Sequence, residues 1–105
     1  MKYRVLLTTR AKNDFDAVYF WYRKQSPSVA ERWYVGLRDS MRRLNQNPDR
    51  FPLAIEDETF PYKLREMLYG VGRKKTHRVL FVVRPNAVVI YAIRHVAQDR
   101  FVPYP

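Results

Sequence analysis

Two apolar segments near the C-terminal end dominate the hydropathy pattern. Val79-Leu80-Phe81-Val82-Val83 leads into Pro85-Asn86, and Val88-Val89-Ile90-Tyr91-Ala92-Ile93 leads out of it. Both are apolar at consecutive positions rather than alternating, the pattern of strands covered on both faces. Residues 76–95 therefore read as the central hairpin of a small antiparallel sheet. His77, Arg78, Arg94 and His95 stand where the apolar pattern stops, and that border is where function is sought.

Upstream, residues 3–8 form a short β-prone run, and Thr9 has the character of a helix N-cap. Ala11, Phe15, Val18, Tyr19 and Tyr22 then repeat at helical spacing, so residues 10–25 predict an amphipathic helix with Asp14 near its positive end. Phe20 and Trp21 lie off that stripe and either widen the buried face, the favoured reading, or form an exposed aromatic patch. Ser26-Pro27-Ser28 ends this helix and starts another, with Pro in a first turn and Ser28 and Glu31 at capping-box spacing. Ala30, Trp33, Leu37, Met41 and Leu44 carry the second stripe to about Asn45, before Asn47-Pro48. So short a link folds the two helices into an antiparallel hairpin.

Residues 48–61 hold three prolines and the cluster Glu56-Asp57-Glu58, which predicts a surface loop without regular structure. The carboxylates read as a solvated run rather than a metal site. Residues 63–69 form a second strand, and Gly70-Val71-Gly72-Arg73-Lys74-Lys75 a basic turn into the hairpin. Those glycines match no phosphate-cradling fingerprint, because one residue separates them and no helix follows. The last ten residues carry two prolines, Arg100, Phe101 and Tyr104, and read as extended. The order β-α-α-β-β-β, a helical hairpin on one face of a small antiparallel sheet, is an α+β architecture. At 105 residues without an internal linker it is one domain spanning 1–105.

Composition narrows the chemistry. There is no cysteine, which removes thiol catalysis and Cys-ligated zinc; no metal or cofactor is expected. Val5-Leu6-Leu7 is too short for a secretory signal and no stretch could span a bilayer, so a soluble cytoplasmic protein is expected. The formal net charge is +10, from 20 Lys and Arg against 10 Asp and Glu. Residues 62–105 hold nine of those cations and only two of the acids, Glu66 and Asp99. A polyanionic partner, nucleic acid or an acidic protein, is implied for the sheet half. Arg73, Lys74, Lys75, Arg94 and Arg100 are its candidate contacts.

Three blocks, Arg65-Glu66-Met67-Leu68-Tyr69-Gly70, Thr76-His77-Arg78-Val79-Leu80-Phe81 and Ile93-Arg94-His95-Val96-Ala97-Gln98-Asp99, resemble the closing pattern of the RelE/ParE toxin superfamily. The resemblance implies a toxin of a type II toxin–antitoxin module, of the kind also described as plasmid stabilisation proteins, neutralised by a cognate acidic antitoxin. RelE-like members cut mRNA on the ribosome. ParE-like members poison DNA gyrase and are not nucleases. The shared fold does not choose between them.

Position by position, the resemblance implies that Arg65, Arg78, Arg100 and Tyr104 would carry the nuclease roles. Met67 and Gln98 stand where two cations of that set belong, so the set is incomplete and the ParE-like side is favoured. His95 could substitute as an acid or base, with an ordinary pKa near neutrality. The hairpin register stays open. A three-residue loop sets Arg78 opposite Arg94, a cation pair for phosphate; a four-residue loop pairs Arg78 with Ile93 and puts His95 diagonally beside it. Arg78 could equally form a structural ion pair with Glu66, and His95 could be a hydrogen-bonded strand end. The alternatives to the gyrase reading are a ribosome-dependent endoribonuclease and a non-toxic nucleic-acid-binding relative.

Overall fold

The computed structural model describes residues 2–98. Strand β1 (Arg4–Leu7) leads into helices α1 (Thr9–Gln25) and α2 (Pro27–Arg42), and strands β2 (Arg65–Tyr69), β3 (His77–Val83) and β4 (Ala87–His95) follow. The helices pack as a hairpin on one face of the sheet. The sheet order is β1-β4-β3-β2, antiparallel across β2, β3 and β4, with β1 added parallel to β4 at the edge. It is therefore mixed rather than wholly antiparallel. The long connection from β1 to β4, through both helices and strands β2 and β3, leaves room for a parallel pair.

Both helices are capped earlier than the sequence suggests, α1 by one residue and α2 by two. Thr8, not Thr9, caps α1, its Oγ1 accepting from the Ala11 N–H at 3.1 Å. Ser26, not Ser28, caps α2, accepting from the Val29 N–H, with Pro27 in the first turn where its missing N–H costs nothing. A 3₁₀ turn, Arg43–Asn45, extends α2 as far as the apolar stripe runs.

The consecutive apolar positions of the hairpin divide between two cores. Val79, Phe81, Val88, Ile90 and Ile93 meet Trp33, Leu37, Met41 and Leu44 of the helical layer. Leu80, Val82 and Ala92 meet Ala54, Leu64 and the half-buried Phe60 on the other face. The proline-rich segment is thus a cover for the sheet, not an unstructured surface loop. It contains two 3₁₀ turns, Pro48–Arg50 and Ile55–Thr59, and a one-residue bridge from Leu53 to Arg65.

Both hairpin registers occur, separated by a bulge. At the tip Val83 opposes Val88, with the Arg84 N–H donating to the Ala87 carbonyl at 2.7 Å, which is the four-residue loop. Phe81 pairs with Ile90 but Leu80 pairs with Ala92, leaving Tyr91 as the extra residue. Beyond it Arg78 opposes Arg94 and His77 opposes His95. Helix α1 ties down the bulge: Thr8 Oγ1 donates to the Tyr91 carbonyl at 3.2 Å, and the Ile93 N–H donates to Asp14 Oδ2 at 3.0 Å. Burial holds the Asp14 carboxyl above its ordinary pKa despite that bond.

Candidate functional site

Strand pairing assigns each candidate side chain to a face. Arg65 opposes Phe81 and so lies on the helical side, as do His77 and His95; Arg78 opposes Leu68 and lies on the other. Arg65, Arg78 and His95 are therefore not brought together. Arg100 and Tyr104 lie outside the described residues.

Arg78 is enclosed by carboxylates. Its Nη1 donates to Glu56 Oε2 at 2.9 Å, its Nη2 to Glu56 Oε1 at 2.6 Å, and its Nε to Glu66 Oε1. Glu56 is 2 % exposed, which corrects the reading of residues 56–58 as a solvated run. The hydrogen bonds donated to Glu56, against an opposing cost of burial, hold the guanidinium above its ordinary pKa, so it is permanently charged. Asp57 is also used locally, accepting from the Leu64 N–H at 2.8 Å. Sequence reasoning missed Glu56, yet the signal was present: a cation flanked by apolar residues on a doubly covered strand needs an internal counter-charge.

Arg65 also has structural partners. Its Nη1 donates to the Phe51 carbonyl at 2.7 Å and its Nη2 is 3.6 Å from Asp49. Arg94 is half-buried, whereas Arg73, Lys74 and Lys75 are exposed on the turn between β2 and β3. That turn is tight: a side chain at Gly70 would meet the Lys74 carbonyl oxygen at 2.0 Å. The Thr76 N–H closes it onto the Tyr69 carbonyl at 2.9 Å.

On the helical face the sheet ends in a cleft of about 420 Å³ lined by Ala17, Val18, Trp21, Tyr22, His77 and His95. His77 is buried, its Nδ1 2.8 Å from Thr76 Oγ1, and burial followed by repulsion from His95 lowers its pKa to about 4. It is neutral at physiological pH. His95 is exposed at the strand end, where its Nδ1 accepts from the Ala97 N–H at 3.0 Å and its own N–H donates to Gln98 Oε1 at 2.7 Å. Trp21 and Phe20 are 59 % and 56 % exposed, contrary to the expectation that they widen the buried face. The stripe residues Phe15, Tyr19 and Tyr22 already fill the contact with α2.

Among the described residues, then, the protein is a two-helix hairpin on a mixed four-stranded sheet, with a basic rim and no cluster of groups able to hold a metal. The solved structure described as the chromosomal ParDE TA system from P. aeruginosa is similar to it, with a TM-score of 0.70 and 20 % sequence identity over 90 % of this chain and 97 % of that one. At that identity the likeness is one of fold. The sequence itself gives the family: residues 5–100 match the ParE toxin of the type II toxin–antitoxin system parDE, and the chain belongs to that family. No curated protein sequence matches the chain.

Proposed function

We propose that the chain arrests bacterial growth by binding DNA gyrase, and that a cognate acidic antitoxin neutralises it. The carrying observation is the environment of Arg78, the cation a RelE-like nuclease would need. Its guanidinium is already satisfied by Glu56 and Glu66. Breaking a buried pair of this kind costs about 3–5 kcal/mol. One transition-state donor contributes about 2.7–4 kcal/mol, so freeing Arg78 for cleavage offsets what it would gain. Arg65 and His95, on the opposite face, do not compensate. Gyrase poisoning needs a binding surface rather than an assembled catalytic set, and the similar solved structure is of a toxin–antitoxin system of the same kind.

Supercoiling of relaxed plasmid by purified gyrase, with and without the chain, tests this reading. Supercoiling is expected to fall as the chain is added. Full supercoiling at a large molar excess would overturn the gyrase assignment.

A further inference from the structure

Four of the six residues lining the cleft at the sheet end are rings, and they follow one another around it. Trp21 and Tyr22 have centroids 5.1 Å apart, Tyr22 and His77 6.3 Å, and His77 and His95 5.3 Å. Its volume falls within the range of about 300–1,000 Å³ usual for small-ligand sites. The outer ring, Trp21, keeps more than half of its surface in solvent, so packing does not account for it.

Cations flank these rings along the chain. Arg23 and Lys24 follow Tyr22 in the last turn of α1, and Arg73, Lys74 and Lys75 precede His77 in the turn that enters β3; all five are exposed. Residues 17–30 and 67–98 supply every lining side chain and all five cations, and they contain no Asp or Glu. An aromatic centre with an acid-free cationic border has the recognition chemistry of a flexible polyanion whose units carry flat π faces.

We infer that this cleft is a base-stacking site for single-stranded nucleic acid, its rings taking the face of a base and the neighbouring Arg and Lys side chains the adjoining phosphates. Stacking on aromatic side chains is open to every base, and a cationic border supplies the sequence-independent part of the affinity. His77, buried beneath the cleft, closes its floor as a neutral ring, without a charge to desolvate. A duplex is excluded from the cleft, since its bases are already stacked on one another. An acidic protein partner with an apolar anchor is the competing occupant of this space, and the antitoxin arm of the test separates it from a nucleic acid. The inference does not rest on the gyrase reading.

The test is fluorescence anisotropy of a labelled oligouridylate titrated with the purified chain at fixed salt, alongside a labelled duplex of equal length. The single strand should bind more tightly than the duplex. Trp21→Ala should weaken its binding roughly tenfold, the loss of about one base stack, and Trp21→Phe should restore most of it. Replacing Lys74 and Lys75 by Gln should lower the salt slope by about 0.7 per charge, with the Trp21 effect retained. Equal binding of duplex and single strand, or affinity unchanged in Trp21→Ala, would overturn the inference. So would a Trp21→Ala chain that keeps oligonucleotide but loses its antitoxin, because that result assigns the cleft to a protein side chain.

Discussion

Arg78 grips Glu56 with both terminal nitrogens, at 2.6 and 2.9 Å, across the interface between β3 and the 3₁₀ turn Ile55–Thr59. Side-chain exposure is 11 % for the arginine and 1 % for the glutamate, so the pair is screened little by solvent. It neutralises a cation turned towards the second core and ties the proline-rich cover to the sheet. On the proposed reading this arginine serves the sheet rather than a scissile phosphate.

Replacing Glu56 by Ala should destabilise the fold by about 3–5 kcal/mol, because Arg78 then keeps only Glu66. Replacing Arg78 by Met together with Glu56 by Leu should cost less than either single change, since the two buried charges leave together and only the part-exposed Glu66 loses its partner. Urea denaturation of the variants measures this. A loss below about 1 kcal/mol in Glu56→Ala would mean that the pair is not structural.

Gly36 and Tyr69 form a second coupled pair. A methyl at Gly36 would lie 2.1 Å from Tyr69 Oη, the atom that donates to the Trp33 carbonyl at 3.1 Å. Gly36→Ala should therefore cost about 1–3 kcal/mol from overpacking. Tyr69→Phe, which removes the hydroxyl, should relieve much of that cost in the double variant. Additive losses in a double-mutant cycle would refute the steric account.

The arrangement of elements was legible in the sequence because periodicity reports which faces are buried. The stripes through Phe15 and Trp33 gave the helical hairpin, and the unbroken run 79–83 required cover on both faces. The identity of the second cover was not legible: Ala54 and Glu56 sit among prolines and acids, and Glu56 looks like a surface residue until Arg78 is seen to need a counter-charge. Local patterns also could not show that β1 would join β4 in parallel, or that Tyr91 would bulge. Both depend on where Thr8 and Asp14 of α1 meet β4. The candidate site was half legible. His77 and His95 were placed at the strand ends, but Trp21, assigned to the core, lines the cleft they share.

Acidification should weaken the fold through His77. Its pKa is about 4 when folded against an ordinary 6.5, so the unfolded chain takes up the proton first as pH falls. The contribution of neutral His77 is therefore complete above about pH 6.5 and is lost towards pH 4, by about 3 kcal/mol at 1.36 kcal/mol per unit. Asp14, raised above its ordinary value by burial, acts in the opposite sense. The informative quantity is accordingly the difference between the wild type and His77→Gln, which should shrink across that window. A constant difference from pH 7 to pH 4 would contradict it.

Association with an acidic antitoxin should be fast and salt-sensitive, because the chain carries a net charge of +10. Stopped-flow association rates should fall steeply as ionic strength rises, while dissociation changes less. A rate unaffected by salt would remove electrostatic steering from the account.

The central claim, a ParE-type toxin whose Arg78 holds the fold rather than a phosphate, is tested most directly by mapping mRNA 5′ ends in a ribosome-containing translation extract supplied with the chain. No new ends should appear at concentrations that stop purified gyrase. Codon-spaced cuts that vanish on Arg78→Ala, with gyrase unaffected, would contradict the claim and make Arg78 a catalytic residue.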